Sequence, residues 1–206
     1  MEFCLTTKSI SAAINPLAAK RKSGYSKDLL KGEANSKYLA RSVVLMMQKA
    51  LPIRLFTVGK NRSSGVQMVV DDYMEKLRRY CSVEDVQIRS NPMKTSDVKA
   101  QIKGEDTKVM QRITPKDWVV LLDENGKDIT SEQLAKLIEE SGSTGSSSVV
   151  FCIGGPYGHG QELKMCADVT IRLSSMVLNH QIALIVLLEQ LYRAWTILKG
   201  QKYHHQ

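Results

Sequence analysis

No two of the four cysteines, Cys4, Cys81, Cys152 and Cys166, stand in a C-x-x-C pair, and no histidine spacing completes a zinc set. That absence removes the small metal-stapled modules from consideration. No run reaches the roughly 18 apolar residues that cross a membrane. The longest, Ile182–Leu188, is short and has polar neighbours, Gln181 and Glu189. The N-terminus lacks the continuous apolar core of a secretory signal, and no internal repeat is present. What remains is a chain of 206 residues, long enough for one domain with a full core and some excess.

The net charge of +8 suggests a polyanionic partner, but its distribution qualifies that. Residues 1–50 hold nine Lys or Arg against Glu2, Asp28 and Glu33, a balance of +6. The other 156 residues hold 20 basic and 18 acidic side chains, a balance of +2. A near-neutral domain cannot draw most of its affinity for a nucleic acid from bulk electrostatics. The first fifty residues are rich in Ser, Ala, Lys and Arg and poor in acids. This composition suits an organellar transit peptide, and a basic tail that helps hold RNA is the other reading of it.

Beyond Pro52, strand and helix patterns alternate. Ile53–Val58 alternates as a strand and stops at Gly59. Ser63–Tyr80 carries apolar residues at helical spacing. Val83–Arg89 reads as a second strand. Thr95, Ser96 and Asp97 offer caps for a polar helix reaching about Ile113. Trp118–Asp123 is an apolar strand that Glu124-Asn125-Gly126 should stop. Thr130 opens a helix through Glu140, and Val149–Ile153 is the next strand. A short helix over Gln161–Ala167, a strand over Val169–Leu173 and a long helix over His180–Lys199 complete the order. Such alternation predicts an α/β domain with a mostly parallel sheet covered on both faces. The last helix is more apolar than one sheet face needs, so part of it is expected either at a subunit interface or in the core.

One stretch stands out: V-V-F-C-I-G-G-P-Y-G, Val149–Gly158. An apolar strand there runs into three glycines and a proline, which give a tight loop open to close backbone approach. Ligands of α/β sheets sit beyond strand carboxyl ends, where such a loop lies. The pattern is G-G-P-x-G and comes late in the chain, unlike the G-x-G-x-x-G of a dinucleotide site. His159, just after it, reads as a solvated side chain, and Cys152 as a buried small hydrophobe.

Several short motifs then share one order with a known family: Leu122-Asp123 with Gly126-Lys127, Ile153-Gly154-Gly155-Pro156 with Gly158, and Leu173-Ser174 with His180. Leu191-Tyr192-Arg193-Ala194-Trp195 and the terminal Tyr203-His204 continue the series. Over about residues 52–206 the chain resembles the bacterial RlmH family, ribosomal RNA large subunit methyltransferases of the SPOUT class. The resemblance implies an α/β fold with a C-terminal trefoil knot, an exception to the usual rules of connection. It also implies a homodimer that uses S-adenosylmethionine to methylate N3 of a pseudouridine within the large subunit or assembled ribosome. No metal and no membrane enter that chemistry.

Carried over by position, the resemblance assigns donor contacts to Leu122, Gly154, Leu173, Ser174, Ser175, Met176, Val177 and Leu178. Without it, the leucines would be read as plain core. His180 matches a position beside the donor, although the family's preceding proline is Asn179 here, which leaves φ less fixed. Arg193 and His204 are expected to meet the target base or its proton, with Tyr203 stacking on the base. The resemblance leaves two alternatives standing: a non-catalytic RNA-binding or assembly factor of the same fold, and a methyltransferase for another RNA nucleotide. As a plant-type member, the chain would place residues 1–50 as a leader to the chloroplast, or to the mitochondrion, ahead of a methyltransferase domain over 51–206.

Overall fold

The computed structural model describes residues 50–201. The basic leader, Tyr203 and His204 lie outside the described residues. Five strands pair in parallel in the order β2-β1-β4-β3-β5: β1 Ile53–Gly59, β2 Val83–Arg89, β3 Asp117–Asp128, β4 Ser148–Ile153 and β5 Val169–Arg172. Between them run α1 Ser64–Arg78, α2 Val98–Met110, α3 Ser131–Ser141 and α4 Gln161–Cys166, with α5 His180–Leu198 last. The expected α/β class with a parallel sheet is the one observed.

The strands read as unbroken apolar runs because both faces of the sheet are covered. In β4, Val149, Phe151 and Ile153 pack into a core shared with Leu77 of α1, Leu134 of α3 and Leu184 of α5. Val150 and Cys152, pointing the other way, meet Val109 of α2 and Leu163 of α4. Period-two alternation thus separates two cores. The helices begin where capping chemistry allows. Ser63, Asp97 and Thr130 accept backbone N–H bonds at the starts of α1, α2 and α3, and Thr130 with Gln133 closes a capping box. α5 has the length and composition of a membrane-crossing helix, but Leu184, Leu187, Leu188 and Leu191 are fully buried against the sheet and helices.

One expected boundary fails. Glu124-Asn125-Gly126 does not end β3; the strand leaves its register after Leu122 and rejoins at Lys127, and both residues pair with Ile171. Gly126 makes the return possible: a β-carbon there would lie 2.4 Å from the Ile171 carbonyl carbon. Turn-forming residues produced a bulge rather than a stop, because β5 holds the ladder on both sides of it.

Candidate active site

Because all strands are parallel, their carboxyl ends share one edge. The strand order turns between β1 and β4, the switch point at which α/β sheets open a crevice. A cavity of about 750 Å³ lies there. Most of its walls come from four places: Gly59 at the end of β1, the β3 bulge from Leu122 to Asn125, the loop Ile153–Gly158 after β4, and the Arg172–His180 segment leading into α5; Lys60, Ser90, Lys164 and Ala183 complete them.

The loop after β4 folds on itself. Gly158 N–H donates to the Gly155 carbonyl at 3.0 Å, with Gly158 at φ +73°. This is a four-residue turn with proline in its second place. A β-carbon on Gly154 would stand 2.9 Å from the Gly158 carbonyl carbon, so only glycine lets the strand end pass beneath the turn.

His159, expected in solvent, is instead buried, and its Nε2 lies 3.1 Å from the Leu122 carbonyl oxygen. Burial pushes its pKa down, although Asp106 nearby opposes this. The neutral ring must then carry its proton on Nε2 and donate it to Leu122. His159 thereby ties the glycine loop to the strand end on the opposite wall. Its position beside glycines gave no hint of this, since the contact is made across 37 positions of sequence.

Asp123 and Lys164 form a second tie, 2.8 Å apart, with the Asp123 side chain almost fully buried. Burial alone would raise the Asp123 pKa; the Lys164 ammonium and the Asn125 N–H hold it below the ordinary carboxylate range. Nothing in the sequence marked Lys164.

On the Arg172–His180 wall, Ser174 Oγ accepts from Met176 N–H at 2.9 Å and Asn179 Oδ1 from Gln181 N–H at 2.9 Å. Asn179 is the N-cap of α5, with φ −59°. That is the φ a proline would impose, so the turn keeps its geometry without the ring and gains a side-chain cap. His180 follows. Its Nε2 is buried with no hydrogen-bond partner among the described residues, and its ring lies on Gly59. Burial, and then the Arg62 charge, push its pKa down. Arg62 is itself clamped by both Asp85 oxygens.

Of the residues expected at the site, Leu122, Gly154, Leu173, Ser174, Met176, Val177, Leu178 and His180 all line this cavity. Ser175 sits in the same segment but off the lining. Arg193 is elsewhere: at a rise of about 1.5 Å per residue it lies about 20 Å along α5 from His180, in an ion pair with Glu189 at 3.0 Å.

The family profile described as "Predicted SPOUT methyltransferase" matches residues 51–204, three quarters of the chain. The chain belongs to the SPOUT methyltransferase family. An Arabidopsis thaliana protein provisionally named an RNA methyltransferase is 60% identical over 157 residues, covering 76% of this chain and 81% of that protein. The ribosomal RNA large subunit methyltransferase H of Christiangramia forsetii is 36% identical over 157 residues and is covered completely. Its counterpart from Flavobacterium psychrophilum is 35% identical over 159 residues, with 99% covered. In a SPOUT methyltransferase, this cavity at the switch point is the candidate active site.

Proposed function

We propose that the chain transfers a methyl group from S-adenosylmethionine to N3 of a pseudouridine in large-subunit ribosomal RNA. The observation that carries this is the meeting of Leu122, Gly154 and the Leu173–Leu178 segment around one cavity at the strand ends, in a chain whose relatives are named as large-subunit ribosomal RNA methyltransferases.

The residues fit the donor. Leu122, Leu173, Val177 and Leu178 give apolar walls for an adenine and a methionine chain, and the Gly154 backbone, free of a β-carbon, can approach its polar edges. The charge also fits. Of the basic groups that line the cavity, His180 is held neutral, Lys164 is paired with Asp123 and Arg172 with Asp128, so these three offer little repulsion to a cationic sulfonium, and Lys60 is the lining cation with no ion pair to a described residue. When bound, S-adenosylmethionine supplies an activated methyl group. The protein's task is then to orient the base and exclude water. His159 and Asp123 keep the walls in place for that purpose. N3–H must lose its proton, and the neighbouring carbonyls gain negative charge as it does; Arg193 and His204 are our assignment for stabilising that charge and accepting the proton, with Tyr203 stacking on the base.

Arg193 is too far along α5 to reach the cavity of its own chain, so this assignment requires a second copy to deliver it. A homodimer agrees with the solvent exposure of Met176 (75%), Val177 (80%) and Ile182 (46%) beside the cavity. We also read residues 1–50 as an organellar leader, to the chloroplast first. In support, the C. forsetii relative is covered completely by 76% of this chain, and the family match begins at residue 51.

The experiment is mass-spectrometric mapping of organellar ribosomal RNA from cells lacking the protein, paired with calorimetric titration of S-adenosylmethionine into the purified chain. Loss of one methyl mark from a large-subunit pseudouridine, with saturable donor binding, supports the reading. A mark lost from transfer RNA reassigns the substrate. No donor binding at millimolar concentration makes the chain a non-catalytic RNA-binding factor.

A further inference from the structure

We propose that a second groove, next to the cavity, holds the phosphodiester backbone of the RNA strand that carries the target base. The groove has a volume of about 860 Å³ and shares Gly59, Lys60 and Ser90 with the cavity. A strand whose base enters the cavity would therefore meet this groove as it leaves. The proposal rests on the reading of the cavity as a methyl-transfer site.

The groove is cationic. Lys60, Arg89 and Lys94 line it, all three are solvent-exposed, and no carboxylate lines it. None of the three is in an ion pair with a described residue, whereas Arg54, Arg62, Lys76, Lys136, Lys164, Arg172 and Arg193 all are. Since the sequence beyond residue 50 carries a balance of only +2, three uncommitted cations in one groove are a local concentration of charge. In the neutral lining, the Gln87 and Asn91 amides each spend one N–H on a backbone carbonyl, of Lys60 and Thr95, and keep the second, with the Asn61 amide, for phosphate and ribose oxygens.

The groove is also held in shape. Arg89 stands opposite Gly59 in the β1–β2 ladder, and Ser90 N–H donates to the Gly59 carbonyl at 3.2 Å. Beyond it the chain takes two unfavourable conformations, φ +46° at Asn91 and φ +52° at Lys94. Asn91 pins this turn through Oδ1, which accepts from Thr95 N–H at 2.9 Å, and Nδ2, which donates to the Thr95 carbonyl at 2.8 Å. The turn is anchored from below by Glu105, which is 2% exposed and accepts from Ser90 Oγ and Asn91 N–H at 2.7 and 2.8 Å. A buried carboxylate spent on a strained surface turn is the arrangement expected where a side chain must be aimed.

The test is an Arg89→Gln/Lys94→Gln double variant, which leaves the cavity lining intact, beside a Lys136→Gln/Lys199→Gln variant that removes equal charge elsewhere. The readouts are S-adenosylmethionine affinity by calorimetry, salt-dependent binding of a fluorescein-labelled single-stranded RNA, and KM and kcat on unmodified large ribosomal subunits. Donor affinity and kcat should be unchanged in the groove variant. RNA affinity should fall about tenfold, the slope of log K against log salt should shrink by about 1.4, two contacts at about 0.7 each, and KM should rise in step. The charge-matched variant should behave as wild type. An unaltered slope and KM in the groove variant overturn the proposal while leaving the methyl-transfer reading intact; a reduced slope in the groove variant, together with a wild-type chain that transfers no methyl group, sinks that reading and not the groove. Equal losses in both variants, or failure of the wild-type chain to bind RNA at low salt, would each overturn the groove.

Discussion

Gly59 lies so close to the His180 imidazole that a β-carbon on it would stand 2.4 Å from His180 Nε2 and 2.5 Å from Cδ2. The last residue of β1 and the first of α5 are therefore fitted to one another across the cavity mouth. His180 can occupy its place only because position 59 has no side chain.

Gly59→Ala should displace that ring. The strand itself accepts alanine, so the fold should survive with an unchanged circular dichroism spectrum. Donor affinity by calorimetry should fall by about tenfold, or about 1.4 kcal/mol. Wild-type affinity in the folded variant would mean that the His180 ring position has no bearing on the pocket.

His159 and His180 make stability depend on pH. Both have folded pKa values lowered from 6.5, mainly by burial. A lowered histidine binds its proton more readily in the unfolded chain. Its contribution is thus fully present above about pH 6.5 and is lost as pH falls through the folded pKa. The unfolding free energy from urea titrations should drop between pH 7 and pH 5, with a slope of at most about 1.4 kcal/mol per pH unit per histidine. His159→Gln, which can still donate to Leu122, should flatten part of that slope. A midpoint independent of pH in the wild-type protein would contradict the burial of neutral His159.

Asn179 provides a test of the α5 entrance. Its side chain caps Gln181 N–H while its φ sits in the range of proline. Asn179→Ala loses the cap and should cost about 1 kcal/mol by urea denaturation. Asn179→Pro also loses the cap but restricts the unfolded chain, which returns about 0.4 to 1 kcal/mol. The proline variant should therefore be the more stable of the two. The reverse order would mean that the turn needs an angle proline cannot take.

The strands were legible because a parallel sheet covered on both faces leaves nearly continuous apolar runs, as in Val149–Ile153. The helix starts were legible from Ser63, Asp97 and Thr130. The bulge in β3 was not, because whether Glu124-Asn125-Gly126 ends a strand depends on β5, a partner some forty positions later. His159 was misread for a related reason: a histidine beside glycines looks solvated until the loop folds over and presents the Leu122 carbonyl. Lys60, Arg89 and Lys94 look like scattered surface charges until the β1–β2 ladder brings them to one groove.

The position of Arg193 leads to the last prediction. Arg193 is about 20 Å along α5 from His180, held by Glu189, yet it is our choice for stabilising the developing anion. Both statements hold only if each active site combines the cavity of one copy with Arg193 of another. Arg193→Ala should then bind S-adenosylmethionine normally and fail to methylate. Gly154→Val should do the opposite, losing the donor through the clash with the Gly158 backbone. Neither variant alone should be active. Co-refolded in equal amounts, half of the dimers would be mixed, and each mixed dimer would contain one intact composite site out of two. Activity should therefore return to about one quarter of wild type. If mixing restores nothing while crosslinking shows that mixed dimers have formed, Arg193 does not act across the interface and its assignment to the chemistry is lost.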